Sequence, residues 1–124
     1  MSLVLFAAAA LAQSQPVVEV EGMRQGERHD VGYAELMDNR PADAIAIIRA
    51  NRSLSADDPA RLINLGTAHA RLGHRDKARD FYMAAIASDD RYDVELAGGT
   101  WMDSRAAART AIAGLSGDKL LVLR

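Results

Sequence analysis

The chain has 124 residues, with 15 Lys+Arg against 17 Asp+Glu and a net charge of −2. That length suits one domain, and the near-neutral balance excludes a strongly basic nucleic-acid binder. The absence of cysteine excludes disulfides, thiol catalysis and cysteine-based metal sites. Apolar residues make up 49% of the chain, but 24 of them are alanine, which favours helix while burying little area per residue. Aromatics at 5%, with 9 Gly and 3 Pro, point to a mainly α chain and away from a sandwich or barrel.

At the start, Met1–Ala12 carries no charged side chain and Leu3–Leu11 is apolar throughout. Ala10-Leu11-Ala12 puts small residues at the two positions a signal peptidase reads. A run this short cannot span a bilayer, which needs about 20 residues. Residues 1–12 therefore read as a secretory signal peptide cleaved near Ala12, which predicts an exported protein, periplasmic or secreted, with no membrane span in the mature chain. The segment before the apolar run lacks Lys and Arg, so a start codon placed too far upstream, or a short buried helix, stays open as the alternative. Residues 13–29 hold Pro16, Gly22 and Gly26 and no helical stripe, and read as a solvated linker. Val17, Val18 and Val20 are its one hint of a strand.

The middle of the chain repeats itself. Gly32 and Gly66, Ala44 and Ala78, Val31 and Leu65, and Asn39 and Gly73 are all spaced by 34 residues. Asn and Gly both tolerate the left-handed conformation that ends a helix. Asp57-Asp58-Pro59 is a helix start, an acidic cap followed by proline at the first position. Leu62, Leu65, His69 and Leu72 then fall on one helical face, and Gly73 closes that helix. A second helix is expected from about His74 to Ala87, burying Ala78, Tyr82, Ala85 and Ile86. Gly66 sits mid-helix, where glycine costs about 1 kcal/mol against alanine. That cost fits a close helix crossing, with Ala78 and Ala85 as the small partners. The first pair is built alike: Asp30 caps Val31–Asp38, Asn39-Arg40-Pro41 turns the chain, and Pro41 opens a helix to about Asn51.

This period and its markers resemble the tetratricopeptide repeat (TPR). In the copy at about 59–92, Leu65-Gly66, Ala78, Tyr82 and Ala85 match the family pattern in type, while Leu62 and His69 replace aromatics and Asp90 replaces a proline. In the copy at about 25–58, Val31-Gly32, Ala44 and Ile48 fit, but Arg28, Glu35 and Asn51 depart. The resemblance implies two antiparallel helix hairpins over 30–92. It also implies a peptide- or protein-binding groove lined by the first helix of each pair. Carried onto this chain, that groove presents Tyr33, Leu36 and Met37, then Ile63, Thr67, Ala70 and Arg71. The family's carboxylate clamp needs lysines and asparagines on successive first helices, and only Asn64 is suggestive here.

Beyond the repeats, Val94–Leu96 and Thr100–Met102 flank Ala97-Gly98-Gly99, a β-hairpin over 93–102. Trp101 is expected to anchor it on the helices. Asp103 caps an alanine-rich helix, Ser104–Leu115, stopped by Gly114 and Gly117, and residues 103–124 form a capping helix with an apolar Leu120–Leu123 tail.

Few residues promise chemistry. His29-Asp30 is similar to the metal-binding dipeptide of HD phosphohydrolases, but those need a histidine upstream, and a helix cap explains the pair better. His69 and His74, five apart with Gly73 between, are expected to share no ligand face. No Gly-x-Ser-x-Gly elbow or phosphate loop is present. Neither a metal nor a cofactor is therefore expected. The expectation is an exported, non-enzymatic, TPR-like module that binds a protein or peptide in its groove. Its rivals are an assembly protein that self-associates through its repeat ends, because two repeats bury little, and a small periplasmic hydrolase.

Overall fold

The computed structural model describes residues 15–20 and 30–122, so the expected signal peptide at 1–12 lies outside the described residues. Three strands and five helices follow in the order β1 (Val18–Val20), α1 (Tyr33–Met37), α2 (Pro41–Ala50), α3 (Pro59–Arg71), α4 (Arg75–Ala87), β2 (Asp93–Leu96), β3 (Trp101–Asp103) and α5 (Ser104–Val122). The fold is mainly helical. The strands form one antiparallel sheet in the order β1-β2-β3.

The two helix pairs share one turn. Asn39 has φ 56° and Gly73 has φ 81°, each in the left-handed region. In the first turn, the Arg40 amide donates to Glu35 O at 2.8 Å and the Asn39 amide to Leu36 O at 3.1 Å. In the second, the His74 amide donates to His69 O at 2.9 Å and the Gly73 amide to Ala70 O at 3.0 Å. This paired pattern satisfies the last carbonyls of a helix and reverses the chain at once. Pro41 and Arg75 then open the following helices at equivalent positions.

α3 is the centre of the molecule. Asp58 caps it by accepting the Arg61 amide at 3.0 Å, with Pro59 in the first turn. It packs against α2, α4, α5 and β1, and its residues from Pro59 to Ala70 are buried on nearly every side. A β-carbon built at Gly66 would lie 2.5 Å from Tyr82 Cε1, so the ring of Tyr82 rests on the bare backbone of α3. The close crossing expected at Gly66 is present, but its partner is the Tyr82 ring rather than Ala78 or Ala85. α4 ends at Ala87 without a proline. The Ser88 hydroxyl donates to Asp57 O at 2.6 Å and accepts the Asp90 amide at 3.2 Å, which turns the chain there.

Four expectations change. The first helix is 5 residues long rather than eight, because Gly32 takes φ 73° and forms its left-handed N-cap. Residues 15–18 are not a solvated linker: Val17 and Val18 are buried, and β1 pairs with β2. Trp101 is 56% exposed and does not anchor the hairpin. Alternation decides this: Val94 opposite Met102 faces the core, so Trp101 opposite Glu95 faces out. The final helix, capped by Asp103 through the Ala106 amide at 3.1 Å, runs past Gly114 and Gly117 to Val122. The side chains of its Leu120–Leu123 end lie outside the described residues.

Candidate functional site

The expected groove surface on α3 is covered by the chain's own N-terminal strand. Asn64 is fully buried and bonds both polar groups of Val18. The Val18 amide donates to Asn64 Oδ1 at 2.7 Å, and Asn64 Nδ2 donates to Val18 O at 2.8 Å and to Val31 O at 2.7 Å. One helix turn on, the Thr67 hydroxyl donates to Pro16 O and accepts from the Tyr82 hydroxyl at 2.9 Å. On its other edge the segment pairs with β2, and the Ala97 amide donates to Val17 O at 2.9 Å. An extended segment is thus held through its main chain by helix side chains on one flank and a strand on the other. The Val18 side chain joins Val31 and Ile63 in the main core.

The seven residues expected to line the groove divide into two sets. Leu36, Met37 and Arg71 line an open cleft of about 560 Å³, whose opposite wall is Pro16, Val17 and Leu96. Met37 is 52% exposed there. Ile63, Thr67 and Ala70 are buried in the body of the molecule and do not line it. Tyr33 packs half-buried on the small cluster of Val17, Leu36, Ala44 and Ala68. Thr67 and Arg71 therefore do not share an exposed strip with Tyr33 and Met37. The residues expected to mark a repeat, Gly32, Ala44, Leu65, Gly66, Ala78, Tyr82 and Ala85, are all buried.

Arg71 has a structural task that spacing did not show. Its guanidinium Nη1 donates to Leu36 O at the end of α1. Two other arginines do the same for earlier helices: Arg61 Nη1 donates to Ile48 O at 3.0 Å and Asn51 O at 3.2 Å, and Arg105 Nη2 donates to Ser88 O at 2.9 Å. A cation on the last carbonyls of a helix also complements its dipole. Burial pushes the pKa of Arg71 down, opposed by Tyr82. Burial likewise raises the Tyr82 phenol well above its ordinary value, against the opposing Thr67 hydrogen bond and Arg71 charge. The phenol is therefore neutral and serves as a hydrogen-bond donor.

The two histidines meet, contrary to the sequence expectation. The turn at Gly73 brings His69 Nδ1 within 3.2 Å of His74 Nδ1, and the buried His69 ring stacks on Phe81 with centroids 5.3 Å apart. Burial lowers the pKa of His69 first, and the nearby charges of His74, Lys77 and Arg49 lower it further. The fixed charges of Lys77 and Arg49 also oppose a bound metal ion. Among the described residues, no group of three or more His, Cys, Asp and Glu could hold one.

Sequence reasoning missed the strand that covers this face of α3. The signal was present: a β-branched run at Val17, Val18 and Val20 after Pro16, and an asparagine on a helix otherwise lined by core residues. Among the described residues, no helix is long and apolar enough to cross a membrane. No family model, curated protein or solved structure matches the chain.

Proposed function

We propose that this chain is a TPR-like protein-interaction module, exported after cleavage near Ala12, that holds an extended polypeptide segment in the groove of its helix hairpins. One observation carries the reading: Asn64 and Thr67 grip an extended segment by its main chain, at Val18 and Pro16. Main-chain recognition of an extended strand tolerates many sequences, and side-chain pockets beside it add selectivity. The shared turn at Asn39 and Gly73, spaced by 34 residues, supports the repeat reading. The cleft beside the strand, with exposed Met37 and polar Asn39 and Thr110 on its rim, offers a partner its first contact.

The test is a display library of extended peptides panned on the full chain. Enriched peptides should lose binding to a Met37→Glu/Thr110→Arg double variant and keep it with Met83→Glu, an equally exposed methionine on α4. A library that yields no binder even on a chain whose resident strand is loosened by Val18→Ser, or binders indifferent to the cleft variant, overturns the groove reading. Export has a separate check: N-terminal sequencing of protein from fractionated cells should find Gln13 first, and a chain starting at Met1 in the cytosol contradicts it.

A further inference from the structure

The strand that fills the groove fits it incompletely. Gln15 is 5% exposed, yet its side-chain Oε1 is buried without a hydrogen-bond partner. Its amide nitrogen presses on α5 where a β-carbon at Gly114 would come within 2.6 Å. A buried acceptor left unpaired costs free energy that a better-matched residue would not. Pairing with β2 is also irregular, since the register shifts between Val18 and Val20. Alongside the same residues, Gln15 to Val17, the cleft of about 560 Å³ stays open. The anchors are of another quality. Asn64 and Thr67 are fully buried, and their bonds to the segment go to main-chain atoms that any extended peptide carries.

We propose that residues 15–18 are a built-in competitor for the groove, displaced by a partner that binds as an extended, uncharged strand. The proposal rests on the interaction-module reading and adds the partner's chemistry and a form of autoinhibition. The contacts of the resident segment define that chemistry. The place of Val18 is closed within the main core and takes a small β-branched side chain. The place of Val17 is 4% exposed among Leu36, Ala44 and Ala68 and takes an aliphatic one. At the place of Pro16 only the carbonyl is bonded to the groove, by Thr67, so a residue without an amide proton serves there. At the place of Gln15 a small apolar residue avoids the orphaned acceptor and clears Gly114. Because the competitor is in the same chain, its effective concentration is high, and a free peptide binds the intact protein weakly.

The experiment uses the full chain and a fluorescent octapeptide with the sequence of residues 13–20. Val18→Ser loosens the resident strand, and fluorescence anisotropy should show this variant binding the octapeptide at least tenfold more tightly than the native chain does. A peptide carrying Ala at the place of Gln15 should bind several-fold more tightly still, and adding Asn64→Leu to the variant should abolish binding. If Val18→Ser unfolds the chain, the octapeptide should restore its circular dichroism and raise its melting temperature. A folded variant that binds no better than the native chain overturns the proposal, and so does an unfolded one that the peptide cannot restore. Strand-exchanged dimers that exclude the peptide also overturn it, because the occupant is then a second copy. If panned peptides bind the cleft while the octapeptide fails, the module reading stands and the competitor falls. If panning yields nothing on the native chain and on the Val18→Ser variant alike, the module reading itself falls.

Discussion

In the first helix hairpin α1 has 5 residues and only Leu36 is buried, while in the second α3 has 13 residues, buried from Pro59 to Ala70 except at Arg61. The turns between the paired helices are nevertheless the same, with equivalent hydrogen bonds and a left-handed residue at Asn39 and at Gly73. A turn is local chemistry, set by one residue that accepts positive φ, and so it takes the same form in hairpins that differ in length and burial. Helix length and burial depend on what packs alongside. α3 is enclosed by α2, α4, α5 and β1, whereas α1 meets α2 and the edge of β1. The two glycines spaced by 34 residues differ accordingly. Gly66 admits the Tyr82 ring in mid-helix, and Gly32 sits outside its helix at φ 73°.

Substitutions at matched positions sharpen that contrast. The largest effect belongs to Asn64, whose counterpart 34 residues earlier is the exposed Asp30. Asn64→Leu leaves Val18 N, Val18 O and Val31 O without their partner, and each orphaned buried group costs about 1–3 kcal/mol. Urea denaturation should show a loss of at least about 3 kcal/mol. Asp30→Ala, which removes one bond to the Gly32 amide, should cost no more than about 1 kcal/mol. Equal losses at the two positions would erase the difference between the hairpins.

Gly66→Ala comes next. Helix propensity alone makes it stabilising by about 1 kcal/mol. The added β-carbon lies 2.5 Å from a ring that is buried and hydrogen-bonded, so overpacking should instead cost about 1–3 kcal/mol. The sign of the shift in a thermal melt separates the two. A smaller effect is expected at the turns. Gly73 has open space around it but φ 81°, so Gly73→Ala should cost about 1–2 kcal/mol from backbone strain alone. Asn39→Gly should cost nothing, because glycine accepts the φ of 56° freely.

The pH dependence is the finest effect. His69 in the folded chain has its pKa lowered below 6.5, chiefly by burial. As pH falls, the unfolded chain takes up the proton first, so stability is full above about 6.5 and declines as the pH drops through that value toward the folded one. Denaturation midpoints of the native chain should fall over this range. His69→Phe should flatten the decline and keep the stacking on Phe81. A native slope that persists in the variant would assign it to another group.

Local signals carried much of this architecture in the sequence. Asp58-Pro59 starts α3, Gly73 ends it, Asp103 caps α5 and Gly98-Gly99 turns the β-hairpin, and each of these acts within a few residues. The site was less legible because it joins residues far apart in the chain. Thr67 and Ile63 lie on the helical face that family resemblance marks as groove, yet Pro16 to Val18 cover that face. No periodicity on α3 reports what a separate segment will do. Arg71 has the same lesson, since its partner is a carbonyl in α1. Trp101 shows the limit of composition: the one large indole is exposed, and the smaller Val94 anchors the hairpin because pleat alternation turns it inward.

The chain's own extended segment is seated on α3 and held there by its main chain. Residue-resolved amide hydrogen exchange reads this directly, because the Val18 amide donates to Asn64 Oδ1 and the Ala97 amide to Val17 O. Both amides should exchange far more slowly than their random-coil rates, and Asn64→Ala should release Val18 while leaving the helical amides of α4 protected. A Val18 amide that exchanges at the rate of an unstructured chain in the native protein would contradict it.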